Sequence, residues 1–163
     1  MAEESQKQQQ SNIKQQLEIQ RIYIKDLSLE APGAPEIFRE EWRPEISVDL
    51  DIKNKQLEEN VYEVVLSVTV TVKMGEKTAF LAEVHQAGIF FMTGFDAAQN
   101  EQLLNAYCPS ILFPYAREAI SDVTIKASFP PLNLAPVNFD VLYMQQQAEG
   151  KIAETQSEGE VKH

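Results

Sequence analysis

The chain is poor in cysteine, histidine and basic residues, and each shortage argues against a class of protein. Its one cysteine, Cys108, cannot form a disulfide within the chain, so nothing here requires an oxidising compartment. The two histidines, His85 and His163, have no spacing typical of a metal site. The 14 Lys and Arg against 25 Asp and Glu give a net charge of -11, which disfavours nucleic acids and anionic membranes as partners. We expect a cytoplasmic protein without a cofactor.

Long apolar runs and nucleotide-binding motifs are also missing. No stretch approaches the roughly 18 apolar residues of a membrane helix, since GIFFMTGF at 88–95 is interrupted by glycine and threonine. The start, MAEESQKQQQ, has acidic residues and glutamines where a secretory signal has a basic and then an apolar segment. We also find neither a Gly-rich phosphate loop nor a G-x-S-x-G motif. We expect a soluble chain with no membrane insertion, no signal peptide and no nucleotide-driven chemistry.

The sequence does contain segments in which apolar and polar residues alternate. The chain has the length of one domain, and 44% of its residues are hydrophobic. Residues 17–30 predict a first strand, with a break of phase that indicates a bulge. Residues 45–53 and 62–74 alternate cleanly, and a turn at 74–77 leads into a fourth strand at 78–89. Residues 31–45, rich in proline, form a crossing loop that carries Phe38 and Trp42. The first half therefore predicts a four-stranded antiparallel sheet.

Helices follow the strands. Asp96 and Gln99 have the spacing of a capping pair for a helix that we expect to stop at Pro109. Pro114 suits the first turn of a second helix, whose apolar residues recur at helical spacing. Asn138 is expected to cap a last helix. Strands first and helices last predict an α+β fold, with the helices packed on one face of the sheet.

Four segments carry a resemblance to a known family: SLEAPGAPEIFREEW at 28–42, TAFLAEVHQAGIF at 78–90, YCPSILFPYAREAI at 107–120 and FPPLNLAPVNFDVLY at 129–143. In this order they resemble SecB, the bacterial chaperone that keeps preproteins unfolded for export. The resemblance covers about residues 17–147. It divides the chain into a disordered arm at 1–15, a SecB-like domain at 16–147 and a disordered acidic tail at 148–163. It implies an ATP-independent holdase that delivers unfolded preproteins to the SecA motor and assembles as a homotetramer, a dimer of dimers.

The resemblance also implies three sets of site residues. The set for client binding is Phe38, Trp42, Ile46, Val48, Leu50 and Leu142. The set for docking a basic, zinc-containing tail of SecA is Asp26, Glu30, Leu81 and Glu83. The set that makes or supports subunit contacts is Phe80, Ala82, Val84 and Gln86. Zinc would belong to the motor, and the resemblance assigns no residues in the tail.

Simpler interpretations stay open for each set. The client-binding residues could form an ordinary core, and the docking carboxylates could be solvated strand charges. Cys108 and His85 are expected to be structural, because Cys108 has no histidine near it in sequence. Two rival functions are a ligand-binding α+β module with a peptide-sized groove and an enzyme that uses Asp26, Glu83 or His85.

Overall fold

The computed structural model describes the backbone of residues 14–160 and the side chains of residues 14–150. It confirms a four-stranded antiparallel sheet made of β1 (Gln16–Glu30), β2 (Glu45–Glu58), β3 (Val61–Met74) and β4 (Lys77–Thr93). The strand order is β1-β4-β3-β2, so β1 and β2 are the edge strands. β2 is longer than predicted, because its charged second half pairs with the start of β3.

Short turns join the central strands. β3 and β4 form the predicted hairpin, whose turn contains Gly75 at φ +64, a conformation that glycine adopts without strain. β2 and β3 are joined through Asn60, which has a φ of 62. Asparagine tolerates this left-handed conformation better than most residues, so both turns are consistent with the local sequence.

The predicted bulge in β1 is present twice. The register against β4 shifts between Ile19 and Arg21 and again between Ile24 and Asp26. Each extra residue resets the alternation, so apolar side chains that are out of phase in sequence reach one face of the sheet. The residues brought to that face are Leu17, Ile19, Ile22, Ile24, Leu27 and Leu29.

The helical half begins with α1 (Ala97–Gln102), continues through a π-helical turn (Leu103–Tyr107) and enters α2 (Cys108–Lys126). The capping pair is confirmed: the Gln99 backbone N–H donates to Asp96 Oδ1 at 2.8 Å, and the Asp96 N–H donates to Gln99 Oε1 at 3.1 Å. The predicted stop at Pro109 and new start at Pro114 are wrong. Pro109 lies in the first turn of α2, where its missing N–H costs little, and Pro114 lies inside the helix.

Burial explains why α2 continues through Pro114. Leu112, Phe113, Ala116 and Ile120 flank this proline and are all buried in the core. The packing of an apolar helix face contributes several kcal/mol, on the order of the roughly 3 kcal/mol that an interior proline costs. Tertiary packing therefore overrides the local signal.

The last helix, α3, spans Phe139–Glu160. Its predicted cap is confirmed, because the Val141 N–H donates to Asn138 Oδ1 at 3.2 Å. The helix passes the boundary that was expected at residue 147, while residues 1–13 and 161–163 lie outside the described part of the chain. The division into arm, domain and tail stays a prediction.

The core lies between the helices and one face of the sheet, which we call the covered face. Its centre consists of Val64, Leu66, Val68, Val70 and Val72 of β3, Phe80, Ala82 and Val84 of β4, and the buried side of α2. We call the other side of the sheet the open face. The α+β class with helices on one face is therefore confirmed. Over the described residues, no helix is long and apolar enough to cross a membrane.

Candidate functional site

An apolar strip on β2 is left without cover at the margin of the core. Val48 pairs with Val70 in the same row of the covered face, yet Val48 is 43% exposed while Val70 is 0% exposed. Ile46 is 49% exposed and pairs with Val72, which is 1% exposed. The helices cover the middle of the sheet and stop short of this edge. For these β2 residues, a simple core interpretation is wrong.

A groove follows this strip between β2 and α3. It has a volume of about 380 Å³, and its apolar lining comes from Val48, Leu50 and Ile52 on β2 and from Leu142 and Tyr143 on α3. Three of the six predicted client-binding residues therefore meet in one groove. Ile52 and Tyr143 were missed, although Ile52 continues the alternation of β2 and Tyr143 follows Leu142 on the helix.

The π-helical turn closes one end of this groove with Asn105. The Asn105 Nδ2 donates to the Glu101 carbonyl at 2.8 Å, and its Oδ1 accepts from Asn54 Nδ2 on β2 at 3.5 Å. A π turn rotates the residues that follow it, and such turns are frequent at functional sites. No sequence signal identified Asn105, because the π turn was not predicted.

Two of the other three predicted client-binding residues, Phe38 and Trp42, belong to an aromatic cluster built around Phe129. The Phe129 ring centroid lies 5.1 Å from Phe38, 5.9 Å from Trp42 and 4.7 Å from Phe80. Phe129 is buried, whereas Phe38 is 47% exposed. The crossing segment that carries Phe38 includes a short 3₁₀ helix, Glu36–Arg39, anchored by the buried Ile37. Phe129 was missed, since only the fold brings the segment after α2 to this position.

Ile46 connects the two regions. It pairs with Val72, whose partner on β4 is Phe80, a member of the aromatic cluster. The next covered-face positions on β2 are Val48 and Leu50, which line the groove. We call this series of residues along β2 and its neighbours the apolar track; its members are Phe38, Trp42, Phe129, Ile46, Val48, Leu50, Ile52, Leu142 and Tyr143.

The four predicted docking residues meet on the open face. Glu30 pairs with Leu81, and Asp26 pairs with His85, two positions along β4 from Glu83. The bulge before Asp26 is decisive, because unbroken alternation from Ile24 would place this carboxylate on the covered face. The structure thus brings together an acidic patch that runs from Glu30, beside Leu81, past Glu83 to Asp26.

His85 lies within this patch and was predicted only as a strand residue. Its Nε2 hydrogen-bonds to Glu83 Oε1, and the two side chains are 33% and 38% exposed. Asp26 and Glu30 are exposed as well. The carboxylates and the imidazole of the enzyme hypothesis thus sit on a solvent-exposed sheet face, where water competes for each proton. The described residues contain no group of three potential metal ligands.

The four residues predicted for subunit contact lie in the core. Phe80, Ala82, Val84 and Gln86 are between 0% and 2% exposed beneath the helices. The Gln86 amide is satisfied within the chain, since its Nε2 donates to the Tyr23 carbonyl at 3.1 Å. The four side chains therefore leave no surface for direct contact with a second copy. Any role in assembly must act through the helix that they support.

A polar network crosses the open face next to the acidic patch. Tyr23 Oη donates to Glu63 Oε2, and Lys25 Nζ lies 2.9 Å from Glu63 Oε1. The hydrogen bond from Tyr23, helped by Lys25, lowers the pKa of Glu63 although burial opposes this. Burial and the Glu63 carboxylate raise the pKa of Tyr23 to about 12. Glu63 is therefore ionised at neutral pH and links β1 to β3.

Cys108 is fully buried at the start of α2. Burial raises the pKa of its thiol to about 12, so the thiolate that nucleophilic chemistry needs is scarce at neutral pH. This placement agrees with the structural role expected for Cys108.

Comparison with known proteins identifies the family. The family model for SecB, described as preprotein translocase subunit SecB, matches residues 7–150. The chain belongs to the SecB family. Membership of this family supports a chaperone role and confirms the resemblance that the sequence motifs predicted.

One solved structure supports the fold. The chain is similar to the SecB-like chaperone Rv1957 of Mycobacterium tuberculosis, solved in complex with a ChAD peptide from the Rv1956 HigA1 antitoxin, with a TM-score of 0.62 and 16% identity. That match covers 74% of this chain and 90% of the other. A protein of unknown function from Streptococcus agalactiae matches with a TM-score of 0.39 and 13% identity, over 75% of this chain and 98% of the other.

Proposed function

We propose that this SecB-family protein is an ATP-independent holdase that keeps preproteins unfolded and delivers them to the SecA motor. The observation that carries the proposal is the apolar track, where Ile46 and Val48 stay 49% and 43% exposed beside a fully buried core. Apolar surface left in contact with water at a groove is typical of a binding site. An unfolded chain offers the apolar side chains that would cover it.

The shape of the track favours an extended chain over a compact ligand. Its members run along the edge strand β2 from the aromatic cluster to the groove beside α3. Each client side chain buried there would contribute roughly 1.5 to 3 kcal/mol, against which the ordering of a flexible chain is unfavourable. A single track therefore binds weakly, and binding does not depend on a specific client sequence.

Assembly would convert this weak binding into retention. We infer a homotetramer, in which several tracks engage one unfolded chain and raise the overall affinity through effective concentration. Support comes from apolar residues on β1 and α2 that one chain leaves uncovered. They are Ile19, Ile24 and Leu27 on β1, at 38–50% exposure, and Tyr115 and Ile125 on α2, at 51% and 54%.

We assign the acidic patch to the docking of SecA. Asp26, Glu30 and Glu83 share the open face with Leu81, whereas the apolar track lies on the covered face. A client and the motor would then contact opposite sides of the same sheet without a steric conflict. Exposed charges mainly set the association rate and salt dependence of such a contact, which suits a reversible transfer. The zinc of the motor's basic tail would belong to the partner.

Light scattering after size exclusion tests the holdase function. The protein is mixed with one polypeptide, either folded or freshly diluted from denaturant. We expect a tetramer-sized species that retains only the unfolded form. Retention of neither form would contradict the proposal and favour the ligand-binding module; turnover of a substrate that His85→Ala abolishes would favour the enzyme.

A further inference from the structure

The open face carries a second charged zone beyond the acidic patch. It begins two rows beyond Glu83 on β4. In the first row, Ala87 pairs with Val65, which pairs with Lys53. In the next row, Ile89 pairs with Arg21 on one side and with Glu63 on the other. Glu63 in turn pairs with Lys55 of β2. Lys25 lies in the bulge between the levels of His85 and Gln86, and its ammonium reaches Glu63, in the row of Ile89, at 2.9 Å. We call Arg21, Lys25, Lys53 and Lys55 the basic zone.

The acidic patch extends in the same way to the opposite edge of the sheet. Thr69 pairs with Glu83 and with Asp49, and Ser67 pairs with His85 and with Asp51. Asp49 and Asp51 are exposed on the open face of β2. We call Asp26, Glu30, Glu83, Asp49 and Asp51 the acidic zone. Charge on this face is therefore divided along the strand direction, apart from Glu18 and Glu63 at the basic end and Lys73 at the acidic end, and each zone crosses the sheet from edge to edge.

The basic zone surrounds a depression of about 350 Å³. Lys25, Lys53 and Lys55 line it, and His85 marks its border with the acidic zone. The Glu63 carboxylate forms an ion pair with the Lys25 ammonium, at 2.9 Å between Oε1 and Nζ. The Lys53 Nζ lies 4.0 Å from Asp51 Oδ2. Among the side chains that the structure describes, Lys55 makes no ion pair. The depression thus offers an anion Lys55, whose charge also acts on Glu63, and Lys53 with its longer contact, in a chain whose net charge is -11.

We propose that the open face docks a protein segment of divided charge, with basic residues over the acidic zone and acidic side chains in the depression. The inference rests on the proposed docking of the motor at the acidic patch and adds a second requirement to it. On β4, Glu83 lies four residues from Ala87 and six residues from Ile89. At about 3.3 Å per residue, the acidic and basic rows are about 13 to 20 Å apart. An extended partner segment would need a similar separation between its charges. A reversed segment would place like charges together, so the division fixes the orientation of docking.

Two synthetic peptides separate this proposal from simple attraction to an acidic protein. The first has three lysines, a neutral spacer of four residues and three glutamates; the second has glutamine in place of each glutamate. Fluorescence anisotropy measures the binding of each peptide in about 0.15 M salt, where charges more than about 8 Å apart are screened. Attraction by net charge alone would favour the glutamine peptide, which is more positive.

We expect wild type to bind the glutamate peptide about threefold to tenfold more tightly than the glutamine peptide, the effect of two or three exposed ion pairs. Lys53→Glu with Lys55→Glu should invert this preference. Arg43→Glu with Lys126→Glu changes the net charge equally at exposed positions outside the open face, and should keep the preference.

Equal or tighter binding of the glutamine peptide by wild type would overturn the divided-charge proposal but leave docking at the acidic patch intact. Binding of both peptides that is unchanged by Asp26→Lys with Glu83→Lys would overturn the docking assignment as well. The comparison of two peptides on wild type needs no variant to fold, so it decides the proposal even where a substitution perturbs the protein.

Discussion

The two faces of one sheet differ in what covers them and in what they can bind. On the covered face, helices bury the middle strands completely and leave an apolar margin on β2, where Val48 is 43% exposed beside the buried Val70. On the open face, no helix packs within the described chain, and charged side chains stand in two zones. One alternating pattern therefore supplies both an apolar surface and a charged surface, and the sheet separates the two; under the proposed function the first would bind unfolded chains and the second a folded partner.

The largest effect should be the difference in unfolding free energy between substitutions at a core position and at an apolar-track position of the same row, Val70 and Val48. Val70→Ala removes two buried methyl groups and should lower the free energy of unfolding by about 2 to 3 kcal/mol. Val48→Ala, at the partner position, should lower it by less than about 1 kcal/mol, because Val48 is already 43% exposed. Urea unfolding followed by circular dichroism measures both. Equal losses would show that β2 is as covered as β3 and would break the distinction.

The polar network of the open face should make a smaller, pH-dependent contribution to stability. Glu63→Gln weakens the contacts with Tyr23 and Lys25 and should cost about 1 to 2 kcal/mol at pH 7. The pKa of Glu63 is lowered from 4.5 in the folded state, so its contribution is present above that value and is lost as pH falls through the folded-state pKa. The difference between wild type and Glu63→Gln should therefore shrink below about pH 4.5.

Urea midpoints at pH 7 and at several acidic values measure this difference. Glu18→Gln, an exposed glutamate on β1, is the control and should leave the midpoint unchanged. A difference that stayed constant or grew toward acidic pH would contradict the assigned ionisation of Glu63.

Charge reversal on the acidic patch should affect docking alone. Asp26→Lys with Glu83→Lys should weaken binding of the motor about tenfold at low salt, with a smaller loss at high salt because exposed charges are screened. Client capture should stay unchanged. Titration calorimetry with SecA measures docking, and Glu59→Lys with Glu76→Lys, in the exposed turns between strands, supplies an equal charge change elsewhere. Full affinity in the patch variant would remove the docking assignment.

The smallest effect should come from one polar substitution on the apolar track. Val48→Asp should weaken client capture about fivefold, since a carboxylate is costly to bury against an apolar client side chain. Docking of the motor should be preserved. Ser47→Asp, one position away on the open face of β2, is the matched control and should retain client affinity. Equal losses in both variants would show that charge on β2, and not the track, determines capture.

The face of the sheet on which many of the side chains lie could be predicted from the sequence. The alternation of β2, β3 and β4 assigns each side chain to a face and puts Leu81 and Glu83, which the resemblance grouped, on the same one. Asp26 was harder, because its face depends on a bulge whose position the break of phase only indicated. The continuous helix through Pro109 and Pro114 was missed, since burial against the sheet decides it.

Other parts of the site depend on the register or on distant packing. Phe129 joins the aromatic cluster only after the chain leaves α2 and returns over β4. Asn105 reaches the groove through a π turn, for which no sequence signal was found. The basic zone is spread over β1 and β2, and only the pairing of both strands with the central hairpin places its lysines on one end of the open face.

The central claim is that clients and the motor bind opposite faces of one sheet, and simultaneous binding tests it most directly. The affinity of SecA is measured by calorimetry for the client-free protein and for the protein saturated with an unfolded polypeptide, and the mass of the final complex is determined by light scattering. We expect a ternary complex in which the loaded protein binds the motor at least as tightly as the free protein. Stoichiometric displacement of the client by SecA in the absence of nucleotide would contradict it.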